Sequence, residues 1–297
     1  MSFALRSKPV ILSAVLTAAF ASMALAQGPP QGGRPAGGRP PGGGFAHPEP
    51  IAFDDNTGFT QIFDGKSLAG WDGPPDVWHY ENGAIVGESS EAKPSGTTNI
   101  MWRGGTPANF ILKLEIKAEG VGANGGIQYR SHEAAYKPRV TPPERLAQMT
   151  DEQKARMKVN EDANAKHAKW NMEGYQADFD YGNRYSGQLY EQSTGRGIIA
   201  WRGDVATTEG NGKKPTLLGT VGTSDDLKAF IKPGEWNQLE IIADGNTLTH
   251  IINGHVMSIL VDTDPKYAQA SGLIALEIEG GGTLKISHRN IWLKKLP

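Results

Sequence analysis

The segment MEGYQADFDYGN, from Met172 to Asn183, alternates Tyr175, Ala177, Phe179 and Tyr181 with Gln176, Asp178 and Asp180. Period-two alternation marks a strand with one face on a core. The opposite face of such a strand carries one amide and two carboxylates in a row. Carboxylates in this setting serve as general acids or bases, or as ligands for hydroxyl groups or a cation. Two further segments repeat the pattern. In GGIQYR, Ile127 and Tyr129 share one face, while Gln128 and Arg130 share the other; the planar fork of arginine suits oxygen-rich ligands. In GLIALEIE, Ile274, Leu276 and Ile278 oppose Ala275, Glu277 and Glu279. Alternate residues lie roughly 6.5–7 Å apart along a strand, a spacing at which two carboxyls serve as an acid/base pair in sugar-cleaving enzymes. If the three polar rows share one sheet face, Gln128, Arg130, Gln176, Asp178, Asp180, Glu277 and Glu279 converge on a concave cleft. For any one strand alone, a solvated surface is the plainer reading.

Several other chemistries lack their motifs. There is no cysteine, and no His-x-His, His-Glu-x-x-His, Gly-x-Ser-x-Gly or phosphate-loop spacing. His250 and His288 fall in expected strands, and His250 is taken as a candidate substrate contact. Of the seven tryptophans, one or two are expected to serve as sugar platforms and the rest as packing.

The elements that must position these residues are short strands broken by Gly, Pro, Asn and Asp. Expected strands include 84–86, 110–118, 126–130, 175–180, 236–243, 247–252, 272–279 and 283–293, with hairpin turns at Asp244-Gly245 and Asn253-Gly254. Many strands with few helices predict an all-β antiparallel sandwich or jelly roll. Residues 141–170 interrupt this pattern. Thr141-Pro142-Pro143-Glu144 and Thr150-Asp151-Glu152-Gln153 each offer a helix start, followed by good helix formers. Two short helices inserted between strands are expected there. They act either as a lid over the site or as a solvated excursion.

Ahead of the domain, residues 1–26 read as a secretory signal: Arg6 and Lys8, an apolar run from Val10 to Phe20, and the small-x-small site Ala24-Leu25-Ala26. The apolar run is short for a spanning helix. Residues 27–50, rich in Gly and Pro, read as a disordered linker to a domain spanning 51–297. A periplasmic or secreted protein with no membrane anchor after cleavage is expected. The formal charge of −2 offers no basic field for nucleic acid.

Across this domain the chain resembles the 3-keto-disaccharide hydrolase family. FTQIFDGKSLAGW (Phe59 to Trp71) is similar to that family's opening signature, Phe-x-x-Leu-Phe-Asn/Asp-Gly-Lys-x-Leu-x-Gly-Trp. GANGGIQYRS, GYQADF with SGQLYEQ, GRGIIA, GEWNQLEIIADGNTLTHIINGH and GLIALEIEGG…RNIWLKKL follow in the family's order. The resemblance implies a concanavalin-like jelly-roll sandwich and a small carbohydrate substrate. It also implies action on 3-keto-glycosides by elimination across C1–C2 and hydration of the resulting glycal. In that scheme Asp178 or Glu277 is the base, and Arg130 or a divalent cation stabilises the enolate. Gln128, Gln176, Tyr190, Glu279 and His250 contact substrate. The chain departs from the family at Glu277-Ile278-Glu279, where Gln-x-His is common, and in the longer insertion at 141–170. Two rival functions stand beside this one: a conventional glycosidase using Glu277 and Glu279, and a carbohydrate-binding module without turnover.

Overall fold

The computed structural model describes residues 52–138, 140–280 and 282–297. The signal and linker segments, 1–26 and 27–50, lie outside the described residues.

Two sheets face each other. The ten-stranded sheet runs Thr216–Thr220, Asp204–Thr208, His255–Asp262, Thr247–Ile252, Asn237–Asp244, Phe110–Glu119, Leu284–Lys295, Ala84–Ser89 and Trp78–Glu81, with Thr60–Gln61 beside Leu284–Lys295. The seven-stranded sheet runs Gly197–Ala200, Leu189–Gln192, Met172–Asp180, Asn124–Glu133, Leu273–Gly280, Gly96–Trp102 and Trp71–Asp72. Neighbours are antiparallel except for Asp204–Thr208 and His255–Asp262, which pair in parallel. This is the all-β, concanavalin-like jelly-roll sandwich.

The core lies between the sheets and follows directly from the alternation. Ile127, Tyr129, Tyr175, Ala177, Phe179, Ile274, Leu276 and Ile278 point inward from the seven-stranded sheet. They meet Leu112, Leu114, Leu239, Ile241, Leu248 and Leu260 from the other. All are essentially inaccessible, and such burial contributes about 1.5–3 kcal/mol for each large side chain. With no disulfide to constrain the chain, this interior is the main source of stability.

The structure differs from two local expectations. The hairpin between Asn237–Asp244 and Thr247–Ile252 turns on Gly245-Asn246, one residue later than expected, because Gly245 takes the positive φ (51°) that a tight turn needs at its first central position. The insertion forms helices Pro143–Gln148 and Asp151–Lys166 and a short 3₁₀ turn, Ala168–Trp170. Thr150 caps the longer helix with both arms of a capping box. Thr141 does not cap the first: Pro142 occupies the cap position, and the Thr141 hydroxyl turns to the Met157 sulfur instead.

Candidate functional site

The outer face of the seven-stranded sheet carries the polar rows, and its register sorts them. Glu277 pairs with Asn99 on one side and Gly126 on the other; Gly126 pairs in turn with Asp178. Leu189 pairs with Ala177, which sets Gln188 beside Asp178. Read across the sheet, the row is amide, acid, glycine, acid, amide: Asn99, Glu277, Gly126, Asp178, Gln188. A neighbouring row runs Met101, Ala275, Gln128, Gln176, Tyr190. On the other side run Thr97, Glu279, Asn124 and Asp180.

Gly126 matters because of what it lacks. A Cβ there would lie 2.4 Å from the Ala177 carbonyl oxygen and 3.1 Å from Gln176 Cγ. The space is taken by the Gln176 side chain, which crosses the strand so that its Nε2 donates to Glu277 Oε2 at 2.5 Å. Gln176 Oε1 accepts from Gln128 Nε2 at 2.7 Å, and Gln128 Oε1 accepts from the Ser131 hydroxyl at 3.0 Å. Gln188 Nε2 donates to Asp178. A continuous amide chain therefore ends on one carboxyl of the row, and a separate amide holds the other.

Both carboxyls are buried. Desolvation pushes Glu277 well above the usual carboxylate range, and the charges of Glu279 and Asp178 push the same way, against the donors Gln176 and Gln128. Desolvation likewise raises Asp178, opposed mainly by the Gln188 hydrogen bond. Two like charges near one another in low dielectric favour holding a proton between them. Three acceptor oxygens of this row, Glu277 Oε1, Asn99 Oδ1 and Gln188 Oε1, are buried without a hydrogen-bond partner among the described residues. A proton on Glu277 would turn one of them into a donor, and the hydroxyls of a ligand would satisfy all three. Leaving such groups bare costs about 1–3 kcal/mol each.

The insertion lies along one margin of this face. Asn164 Oδ1 accepts from the Thr97 backbone N–H at 2.7 Å, and Trp170 O accepts from Asn99 Nδ2 at 2.9 Å. Trp170 also packs on a small apolar cluster of Met101, Met172 and Ala275. His167 Nδ1 sits 2.8 Å from Ser95 O and fixes the end of the longer helix.

Of the residues expected to form the site, Gln128, Gln176, Tyr190, Asp178, Glu277 and Glu279 share this face. Glu279 is exposed at the rim, where its carboxylate accepts from Asn124 Nδ2 at 2.8 Å. Arg130 does not join them. A bulge interrupts its strand between Tyr129 and His132, and Arg130 adopts φ 45°, so the alternation breaks there. Its guanidinium donates to Ala108 O, Gly245 O, Gln269 O and Asn109 Oδ1, tying loops together instead of facing Asp178. His250 is also displaced from the expected site. It shares the inward face of its strand with Leu248 and Ile252, bonds Tyr129 through Nε2 at 2.8 Å, and is held neutral by burial, which lowers its pKa to about 4. Asp180 faces the loop that follows it and accepts from the N–H groups of Arg184, Tyr185 and Ser186. Asn99, Gln188 and Gly126 complete the row beyond the residues expected from the sequence. Thr97-x-Asn99-x-Met101 and Gln188-x-Tyr190 carry the same period-two signal.

The described residues contain one grouping of three potential metal ligands with atoms close together: His79, Glu81 and Glu88, on the other sheet. Lys285 pairs with both of its acids. No helix among the described residues is long and apolar enough to cross a membrane.

A jelly roll with a buried acid–amide row on one sheet face is an architecture suited to small hydroxylated ligands. Residues 58–294 match the model of the 3-keto-alpha-glucoside-1,2-lyase-like domain, and the chain belongs to that family. Membership places it among carbohydrate-active proteins. No curated protein matches the chain. Solved structures with a similar fold include a candidate glycosyl hydrolase of Parabacteroides distasonis ATCC 8503 (16% identity, covering 81% of this chain and 95% of that one, TM-score 0.46). They also include a laminarinase from Flavobacterium sp. UMI-01 (11%, 80% and 98%, TM-score 0.43) and the carbohydrate binding module CBM66 from Bacillus subtilis (12%, 81% and 98%, TM-score 0.38). At these identities and TM-scores the likeness says nothing of substrate or chemistry.

Proposed function

We propose that this protein, after export, acts on 3-keto-glycosides by elimination across C1–C2 followed by hydration of the glycal. The family match supports the reaction class. The observation that carries the site assignment is the row Asn99, Glu277, Gly126, Asp178, Gln188, with two buried acids either side of a residue that has no side chain.

In this reading the keto-sugar ring lies over Gly126. A ketone at C3 acidifies the C2 proton, and one carboxylate of the row removes it. The electron pair moves to the C3 oxygen as an enolate, then returns to form the C1–C2 double bond as the C1 substituent leaves. Water adds at C1 and a proton returns to C2, so the net change is hydrolysis. Asp178, whose carboxylate receives the Gln188 amide, suits the base. Glu277, with one oxygen unpartnered in a buried setting, suits the protonated partner that donates to the enolate oxygen. This pairing replaces Arg130 in the stabilising role. Burial of both acids favours the single-proton state that such a division requires.

The test is release from a 3-keto-glycoside and from its unoxidised parent, with and without chelator. Release from the keto form alone is expected. Release from both at similar rates would point to a glycosidase, and binding without release to a carbohydrate-binding module. Export is tested by fractionating cells that express the full chain: the processed protein should appear outside the cytoplasm.

A further inference from the structure

Beside the acid row lies a cavity of about 830 Å³ between the insertion and the rim of the seven-stranded sheet. Its floor is Gly96, Thr97, Glu279 and Gly280, and its walls are the inward sides of the two helices. We propose that this cavity is a second sugar subsite, which binds the leaving unit of a disaccharide substrate through its hydroxyl groups. The proposal rests on the keto-sugar reading of the adjacent row and names what lies on the far side of the bond that breaks.

Three features carry it. The first is position. Glu279 belongs to the cavity and stands two residues from Glu277 on the same strand face, a step of roughly 7 Å. For a ring seated at Gly126 the cavity therefore lies within reach of a substituent without leaving the sheet.

The second is charge. Arg145, Arg156 and Lys158 are balanced by Glu161, Asp162 and Glu279, so the lining has no net sign. Lys158 and Asp162 also pair directly at 2.8 Å, and Arg156 pairs with Glu152. Such a wall favours a neutral ligand over a phosphate, a uronate or a polycation.

The third is an unmet hydrogen bond. Asn160 Oδ1 is buried in this lining and has no partner among the described residues. It asks for a donor, and a sugar hydroxyl is one. The longer helix supports the same reading. It is polar along its whole length and buries only Ala163, so the apolar-stripe explanation for a surface helix does not account for it.

The test compares two substrates on the full chain and on Asn160→Ala: 3-keto-lactose, whose leaving unit is a sugar, and methyl 3-keto-glucoside, whose leaving unit is methanol. Asn160→Ala should raise KM for the disaccharide about tenfold, the worth of one well-placed hydrogen bond, and leave the methyl glycoside within about twofold. In parallel, calorimetric titration with unoxidised lactose reads the subsite without turnover. The variant should bind it about tenfold more weakly than wild type. Equal effects on both substrates, or unchanged lactose binding, would overturn the subsite. Absence of turnover by the wild-type protein, with lactose binding still sensitive to Asn160, would instead overturn the reaction and leave the subsite standing. Matched far-UV circular dichroism of Asn160→Ala and wild type establishes that the helix is intact.

Discussion

The acids of the central row differ from ordinary surface acids in their burial, and this separates their function from their stability. Glu277→Gln keeps the hydrogen bond from Gln176 within reach but removes the ionisable proton. Turnover should fall by about 10²–10⁴. The melting temperature should move the other way. Burial raises the native pKa of Glu277 above its usual value of 4.5, so above that pH the native state holds a proton that the unfolded chain has released. Stability contributed by the protonated form is full below pH 4.5 and is lost as pH rises toward the native pKa. Glu277→Gln should therefore be more stable than wild type at pH 8, with the gap closing toward pH 4. A variant with wild-type turnover and no pH-dependent difference would remove Glu277 from both roles. Arg130 gives the converse case. Removing a guanidinium that serves three carbonyls should cost about 2–4 kcal/mol. The intact fraction of Arg130→Ala should retain its KM. A specific loss of kcat without loss of stability would return Arg130 to the chemistry.

At the scale of elements, the sheet supplies the candidate site and the insertion bounds it. Gly126→Ala tests the sheet: the new methyl would meet the Ala177 carbonyl and the Gln176 arm, costing on the order of 1–3 kcal/mol and breaking the link to Glu277. Both stability and turnover should drop, and wild-type kinetics would show that the ring does not sit over this residue. Replacing residues 141–166 by a short Gly linker should shift substrate range more than melting temperature, because the helices bury so little of their own surface. Unchanged kinetics on every glycoside would make the insertion a passive excursion. The same contrast explains what the sequence revealed. Period-two alternation correctly placed Gln128, Gln176, Asp178, Glu277 and Glu279 on one face, because a strand's side-chain period is fixed by its backbone. It misplaced Arg130 because a bulge with positive φ resets that period, and nothing in GIQYRS marks where the bulge falls. His250 alternates with Leu248 and Ile252, so its inward position was legible; the polar side chain outweighed the pattern. Asn99 and Gln188 are not legible in the sequence because a single amide in a strand has no signature until register sets it beside an acid.

For the molecule as a whole, two buried histidines oppose the acids. Burial lowers His250 to about 4 and His288 to about 3. Each is neutral in the fold and gains a proton on unfolding below its usual pKa near 6.5. Stability should therefore decline as pH falls from about 6.5 toward 4, by on the order of a few kcal/mol for the pair. His250→Gln should flatten that slope in melting curves recorded across this range; an unaltered slope would mean that His250 already carries its proton in the fold. The proposed reaction begins with removal of the C2 proton of a keto sugar, and that step would leave a mark no displacement at C1 can leave. Incubate the protein with a 3-keto-glycoside in D₂O and follow C2 of the released sugar by NMR, subtracting exchange in an enzyme-free control. Deuterium at C2, formed at the rate of glycoside cleavage and abolished in Glu277→Gln or Asp178→Asn, is the expected result. Cleavage with the C2 proton retained would contradict it.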